Sequence, residues 1–192
     1  MRRRGLLIVL SAPSGGGKTT ICRTLLRHDP RLVRSRSATT RLPRPGERRG
    51  RDYLYLNGAA FQERIRRRLF LEWAVVHGHR YGTPKAEVMR QRSAGRDVIL
   101  VIDVQGGLAV KRQAPEAVLI FVRPPSLRVL AERLRGRGTD SQKTIRQRLR
   151  HARGELALAS QYDYVVVNQR LPVAVKQIQA IITAERLRQV PR

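Results

Sequence analysis

Cysteine, aromatic residues, lysine and acids are all scarce in this chain. Of 192 residues one is cysteine, Cys22, which excludes an internal disulfide framework and a cysteine-rich zinc site. It sits near Ile21, Leu25 and Leu26 on an expected helix, so a buried, inert thiol is predicted. Aromatics make up 5% of the chain, too few for the stacking platforms that bind single-stranded nucleic acid. No apolar run approaches the ~20 residues of a membrane span. The Met-Arg-Arg-Arg-Gly start followed by Leu6–Leu10 superficially resembles a secretion signal, but its apolar part is too short. A cytoplasmic location is therefore expected. The histidines show no ligand spacing beyond a weak pair, His77-Gly-His79.

Against 14 acids stand 40 basic residues, a formal net charge of +26. Lysine occurs only at positions 18, 85, 111, 143 and 176, so the charge is carried by arginine. Such a surface attracts polyanions weakly and without selectivity. The arginines are read as solvated surface residues plus a subset that grips phosphate, and no specific nucleic-acid partner is expected. Nothing in the sequence reports an oligomeric state.

What is present is concentrated in Leu6-Leu-Ile-Val-Leu-Ser-Ala-Pro-Ser-Gly-Gly-Gly-Lys-Thr-Thr20. An apolar strand runs into a small-residue loop and then a helix start. Loop N–H groups and the helix N-terminus cradle phosphate, the Lys18 side chain reaches the β/γ-phosphates, and the Thr19 hydroxyl can ligate Mg²⁺. The loop Ala12, Pro13, Ser14, Gly15, Gly16, Gly17, Lys18 and Thr19 therefore reads as an ATP site, although Ala12 replaces the first glycine of the usual pattern.

Periodicity gives alternating strands and helices at both ends of the chain, as in a P-loop-type α/β core with a parallel sheet. A run ending at Asp97-Val-Ile-Leu-Val-Ile102 reads as a strand covered on both faces. The following helix is predicted from Gly107, and Thr83-Pro84 reads as a helix N-cap with proline at the first position. Shorter strands interrupt the pattern over roughly 35–95. The core is thus expected at 1–34 and 96–192, with a lobe for a second substrate inserted at 35–95. Gly136-Arg-Gly138 reads as the hinge of a mobile lid at about 136–150.

Several further segments carry a resemblance along nearly the whole chain: Ser37-Ala-Thr-Thr-Arg-Leu-Pro-Arg-Pro-Gly-Glu47, Arg51-Asp-Tyr53, Phe70-Leu-Glu-Trp-Ala74, Tyr81-Gly-Thr83, Ile102-Asp-Val-Gln-Gly106, Arg123-Pro-Pro-Ser126, Arg133-Leu-Arg-Gly-Arg-Gly-Thr139 and Tyr164-Val-Val-Val-Asn168. In this order they are similar to bacterial guanylate kinases, which transfer the γ-phosphoryl of ATP to GMP with Mg²⁺. The resemblance implies that Ser37, Arg41, Arg44, Tyr53 and Tyr81 hold the GMP phosphate, and that Glu72, Thr83 and Asp103 read guanine. It also implies that Arg133, Arg137 and Arg148 close over the transferring group, and that Asn168 meets the donor adenine. Planar guanidinium groups suit a phosphate dianion, and a buried carboxylate suits guanine's N1–H and N2–H donors.

Two alternatives are a kinase of another phosphorylated acceptor, which should lack Glu72, and a catalytically impaired binding module, which should have a degraded phosphate loop. One departure stands out. The family's acid-x-acid is here Val101-Ile102-Asp103, so the first carboxylate is missing.

Overall fold

In a computed structural model that describes residues 4–44, 46–76, 78–136 and 141–188, the apolar run at the start becomes β1 (Leu7–Ser11), buried at every position. It is the middle strand of a parallel five-stranded sheet. Its neighbours are β7 (Asp97–Val101) and β8 (Val118–Arg123), with β2 (Leu32–Arg34) and β9 (Tyr164–Val167) at the edges. Both faces are covered, which is why the inner strands read as unbroken apolar runs. Ile8 and Leu10 pack with Ile21 and Leu25 of α1 (Lys18–His28) and Ile178 of α7 (Leu171–Leu187). Leu7 and Val9 face the other way, toward Val104 and Val110 of α4 (Val104–Gln113). The expected parallel α/β core is what the chain forms. Cys22 is buried, and burial raises its thiol pKa to about 11, so it is inert at neutral pH.

A second, four-stranded sheet comes from the middle of the chain, in the order β4 (Leu54–Tyr55), β3 (Ala38–Thr39), β6 (His79–Pro84), β5 (Phe70–Val76). α2 (Gly58–Arg66) covers it, capped by Asn57, whose side chain accepts from the Ala60 N–H at 2.7 Å. Its small core centres on Phe61 and Phe70, with ring centroids 4.6 Å apart. Gly82 makes that contact possible, since a Cβ there would lie 2.9 Å from the Phe70 ring. The next helix, α3 (Lys85–Ser93), sends Val88 into the main core.

Two local expectations are corrected. Thr83 is not a helix cap: β6 continues through Pro84, because its pairing with β5 outweighs the local Thr-Pro signal. The helix expected from Gly107 begins instead at Val104, with Asp103 as its cap accepting from the Gly106 N–H at 2.8 Å. The glycines there serve close packing, for a Cβ on Gly107 would strike the Tyr162 hydroxyl at 2.3 Å.

Toward the C-terminus, α5 (Leu127–Arg135) and α6 (Gln142–Ala157) share a separate apolar cluster of Leu130, Leu134, Ile145 and Ala152. The expected hinge residues Arg137 and Gly138 lie outside the described residues, as does His77 of the weak histidine pair. Among the described residues no helix is long and apolar enough to cross a membrane, and no cluster of three or more His, Cys, Asp or Glu side chains could hold a metal.

Candidate active site

The loop after β1 folds as its composition demands. Gly15 and Gly17 have φ of +91° and +96°, a region that only glycine enters without strain. A Cβ on Gly17 would also lie 2.5 Å from the Asn168 amide nitrogen. Helix α1 starts at Lys18 without a side-chain cap, so its first N–H groups face the loop's concavity. The Lys18 amine donates to the Ala12 carbonyl within the loop, and Thr19 is exposed on the first helical turn. This is an anion cradle with a movable cation at its rim.

Glu72 is only 5% exposed, on β5. The register slips by one residue between Phe70 and Glu72, so Phe70, Leu71 and Glu72 are buried in succession rather than alternately. This bulge turns the carboxylate inward. Its Oε1 accepts from the fully buried Thr83 hydroxyl at 2.5 Å. Its Oε2 approaches Gly106, where a Cβ would come within 2.9 Å. Burial lifts the Glu72 pKa to about 7, with the Thr83 hydrogen bond opposing and the nearby Asp103 charge adding to the rise. The side chain is therefore a carboxylate held close to its protonation point, able to accept two N–H donors from a planar ligand edge.

A second cluster surrounds Arg41. Its Nη1 and Nη2 donate to the two oxygens of Glu47, both at 2.9 Å, and its Nε donates to the Tyr81 hydroxyl at 3.1 Å. The guanidinium also lies over the Tyr53 ring, 5.4 Å from its centroid. Arg44 is exposed, with its backbone N–H on Glu47 at 2.8 Å. The Arg41 guanidinium holds the Glu47 carboxyl far down, at about 2, against its burial.

Residues from both sheets meet in one cavity of about 200 Å³. Ser14, Lys18, Val101, Ile102 and Asp103 line it from the main sheet's loops, and Ser37, Tyr53, Glu72, Val76 and Tyr81 from the second sheet. Glu155 of α6 completes the lining. A wider cleft of about 820 Å³ shares Ser14, Asp103 and Glu155 and is walled by Arg148, Arg150 and His151. The Arg148 guanidinium donates to the Ser14 hydroxyl at 3.1 Å, tying α6 to the phosphate loop.

Asn168 and Arg133 meet each other beside the phosphate loop. Asn168 is buried beneath the loop, its amide donating to the Gly16 carbonyl at 3.0 Å, so it braces the loop. Arg133 lies on the well-packed α5, with Nη2 on the Asn168 carbonyl at 2.8 Å and Nη1 buried without a hydrogen-bond partner. An orphaned guanidinium N–H of this kind is a ready anion donor. Arg137 lies outside the described residues.

The guanylate kinase family model matches residues 4–185 of this chain. The chain belongs to the guanylate kinase family. A guanylate kinase of Gloeobacter violaceus is 52% identical over 93% of this chain and 87% of its own length, and one of Desulfitobacterium hafniense is 49% identical over 97% and 94%. The crystal structure of guanylate kinase from Anaplasma phagocytophilum superposes with a TM-score of 0.82 at 30% identity, covering 98% of this chain and 89% of that one. A shikimate kinase from Bacteroides thetaiotaomicron, 16% identical with a TM-score of 0.50 over 93% of this chain and 98% of its own, shares the fold alone.

As a guanylate kinase, this chain uses Val101 for packing. The side chain is half-buried against the apolar cluster beneath β1 and also borders the cavity. Two acids escaped the sequence reading. Glu155 had a signal, being the one acid on a strongly basic helix and three residues beyond Ala152 on the inward stripe. Burial raises its pKa while the Lys18 charge draws it down. Glu47 closed a quoted motif, but its partners are apparent only in three dimensions.

Proposed function

We propose that this guanylate kinase binds ATP on the loop of Ala12 to Thr19 and GMP against the second sheet, and transfers the γ-phosphoryl between them through the shared cavity. A GMP phosphate oxygen attacks the γ-phosphorus in line, the bond from that phosphorus to the β–γ bridging oxygen breaks, and ADP and GDP result. The single observation that carries this reading is the cavity itself, with Lys18, Ser14 and Asp103 on one wall and Glu72 and Tyr81 on the other. Such a transfer needs positioning and charge neutralisation more than covalent help from the protein.

In this reading Glu72 accepts the guanine N1–H and N2–H while Thr83 holds the carboxylate in plane, and Asp103 adds an acceptor beside it. Arg41, Arg44, Ser37, Tyr53 and Tyr81 hold the acceptor phosphate. Lys18, Arg133 and Arg148 neutralise charge on the transferring group, the role also expected of Arg137. The apolar cluster that α5 and α6 share joins them into one unit beside the phosphate loop. Incoming α6 cations also exclude water from the reacting atoms. Phosphorus NMR should show equal gains of ADP and GDP from ATP and GMP, whereas ADP and inorganic phosphate alone would refute the transfer.

The donor set suits Mg²⁺. Thr19 offers an exposed hydroxyl, and Val101 offers no ligand where a carboxylate would stand, so the ion would keep water there, as Mg²⁺ does readily. The ion would neutralise the donor phosphates. With Val101 in place of a carboxylate, the Mg²⁺ requirement is expected to be raised. Val101→Asp is expected to lower the Mg²⁺ needed for half-maximal rate by about threefold or more, and to lower Tm because a charge enters apolar packing. Titrating Mg²⁺ at saturating ATP and GMP decides this, and an unchanged requirement in a folded variant contradicts it.

A further inference from the structure

Both oxygens of the Glu47 carboxylate are engaged. It accepts from Arg41 Nη1 and Nη2 at 2.9 Å each, from the Arg44 backbone N–H at 2.8 Å and from the Tyr55 hydroxyl at 2.7 Å. Three of these donors converge on Oε2, and Arg41 Nη2 takes Oε1. All three partner residues belong to, or adjoin, the proposed acceptor-phosphate site. The pair is well sheltered, with side-chain exposures of 10% for Arg41 and 21% for Glu47. A bidentate Arg–carboxylate pair in such shelter fixes geometry as well as charge.

The Arg41 donors are nearly all in use. A guanidinium has five N–H donors. Nε serves Tyr81, Nη1 serves Leu42 O and Glu47, and Nη2 serves Glu47. One N–H, on Nη2, remains for a ligand. The Tyr81 oxygen accepts from Arg41 at 3.1 Å, so its own hydroxyl proton points elsewhere, and Tyr81 lines the 200 Å³ cavity. Tyr81 also meets Tyr53 edge-on, with centroids 6.1 Å apart. A chain of contacts thus runs from Glu47 through Arg41 to the two phenols that border the cavity.

We infer that Glu47 is a positioning residue for the acceptor phosphate: by clamping Arg41 and the Arg44 backbone it fixes the one free Arg41 N–H and the Tyr81 hydroxyl toward the phosphate of GMP. This rests on the proposed placement of GMP. The opposite role, a competitor that the phosphate must displace from Arg41, is disfavoured because displacement would strip a deeply ionised carboxylate of two charge-assisted bonds at once.

The two roles differ in sign. If Glu47 positions, Glu47→Gln loosens Arg41, and GMP affinity falls about tenfold or more while guanosine affinity stays within about twofold. The KM for GMP rises and the KM for ATP does not. A merely structural residue would move all of these together. Tyr55→Phe removes a single donor behind Glu47 and is expected to give a smaller loss of the same selectivity, so the inference stays testable should Glu47→Gln fail to fold. Calorimetry with GMP and with guanosine, on wild type, both variants and Arg41→Ala, reads the outcome. Tighter or unchanged GMP binding in Glu47→Gln and Tyr55→Phe, with Arg41→Ala impaired, overturns the inference alone. Unimpaired GMP binding in Arg41→Ala overturns the placement of the phosphate and the inference with it.

Discussion

Lys18→Ala is expected to lower kcat by ~10³-fold or more while GMP affinity stays within about threefold. Lys18 opens α1 directly after Gly17, and its amine reaches back to the Ala12 carbonyl across the mouth of the loop. That is a cation held at the rim of an anion cradle, placed for the charge that builds between donor and acceptor phosphates. GMP is assigned to residues of the other sheet, Ser37, Tyr53, Glu72 and Tyr81, which Lys18 meets only across the cavity. Steady-state kinetics and calorimetry on a variant of unchanged Tm separate the two effects. A parallel loss of GMP affinity would show that the two walls are not independent.

Glu72→Gln is expected to lower kcat/KM for GMP by ~10²-fold or more, because an amide N–H would then face guanine's donors in a desolvated pocket. The same substitution is expected to stabilise the free protein above neutral pH. Burial raises the Glu72 pKa from 4.5 to about 7 in the folded state. Between those values the folded chain binds a proton that the unfolded chain has lost, so stability falls as pH rises through the window. A shift of that size is worth roughly 3 kcal/mol once pH exceeds 7. Glutamine carries no such cost and still accepts from Thr83. The Tm difference, variant minus wild type, should therefore grow from pH 5 to pH 8. Ligand binding follows the same titration: guanosine, which lacks a titrating phosphate, should bind more weakly below pH 7 in the wild type. A guanosine affinity that is flat from pH 5.5 to pH 8 would remove Glu72 from the base-reading role.

These trade-offs could be anticipated only in part from the chain. The phosphate loop was legible because its chemistry needs consecutive residues: an apolar strand, glycines with positive φ and a lysine at a helix start. Glu72 was legible as an oddity, a lone acid between Leu71 and Trp73. The bulge that turns it inward was not, since it depends on the pairing of Glu72 with Thr83 across a hairpin. The start of α4 at Val104 was missed because its cap, Asp103, was assigned to ligand binding, and Gly106 and Gly107 sit within the helix. They are there for the close approach of Glu72 and Tyr162. The brace that Asn168 gives the loop was likewise not legible, since nothing local reveals that its amide lies under Gly16, 152 residues away in sequence. Glu47 shows the same limit, because its worth lies in the geometry of four donors.

The central claim is that this guanylate kinase selects its acceptor by the guanine edge that Glu72 faces. Its most direct test is the initial rate with ATP and Mg²⁺ against GMP, AMP, CMP and UMP, in wild type and Glu72→Gln. The account predicts a kcat/KM for GMP exceeding that for AMP by ~10³-fold or more in the wild type, with that preference collapsing in the variant. Comparable rates for GMP and AMP in the wild type, or a preference that survives Glu72→Gln, would contradict it.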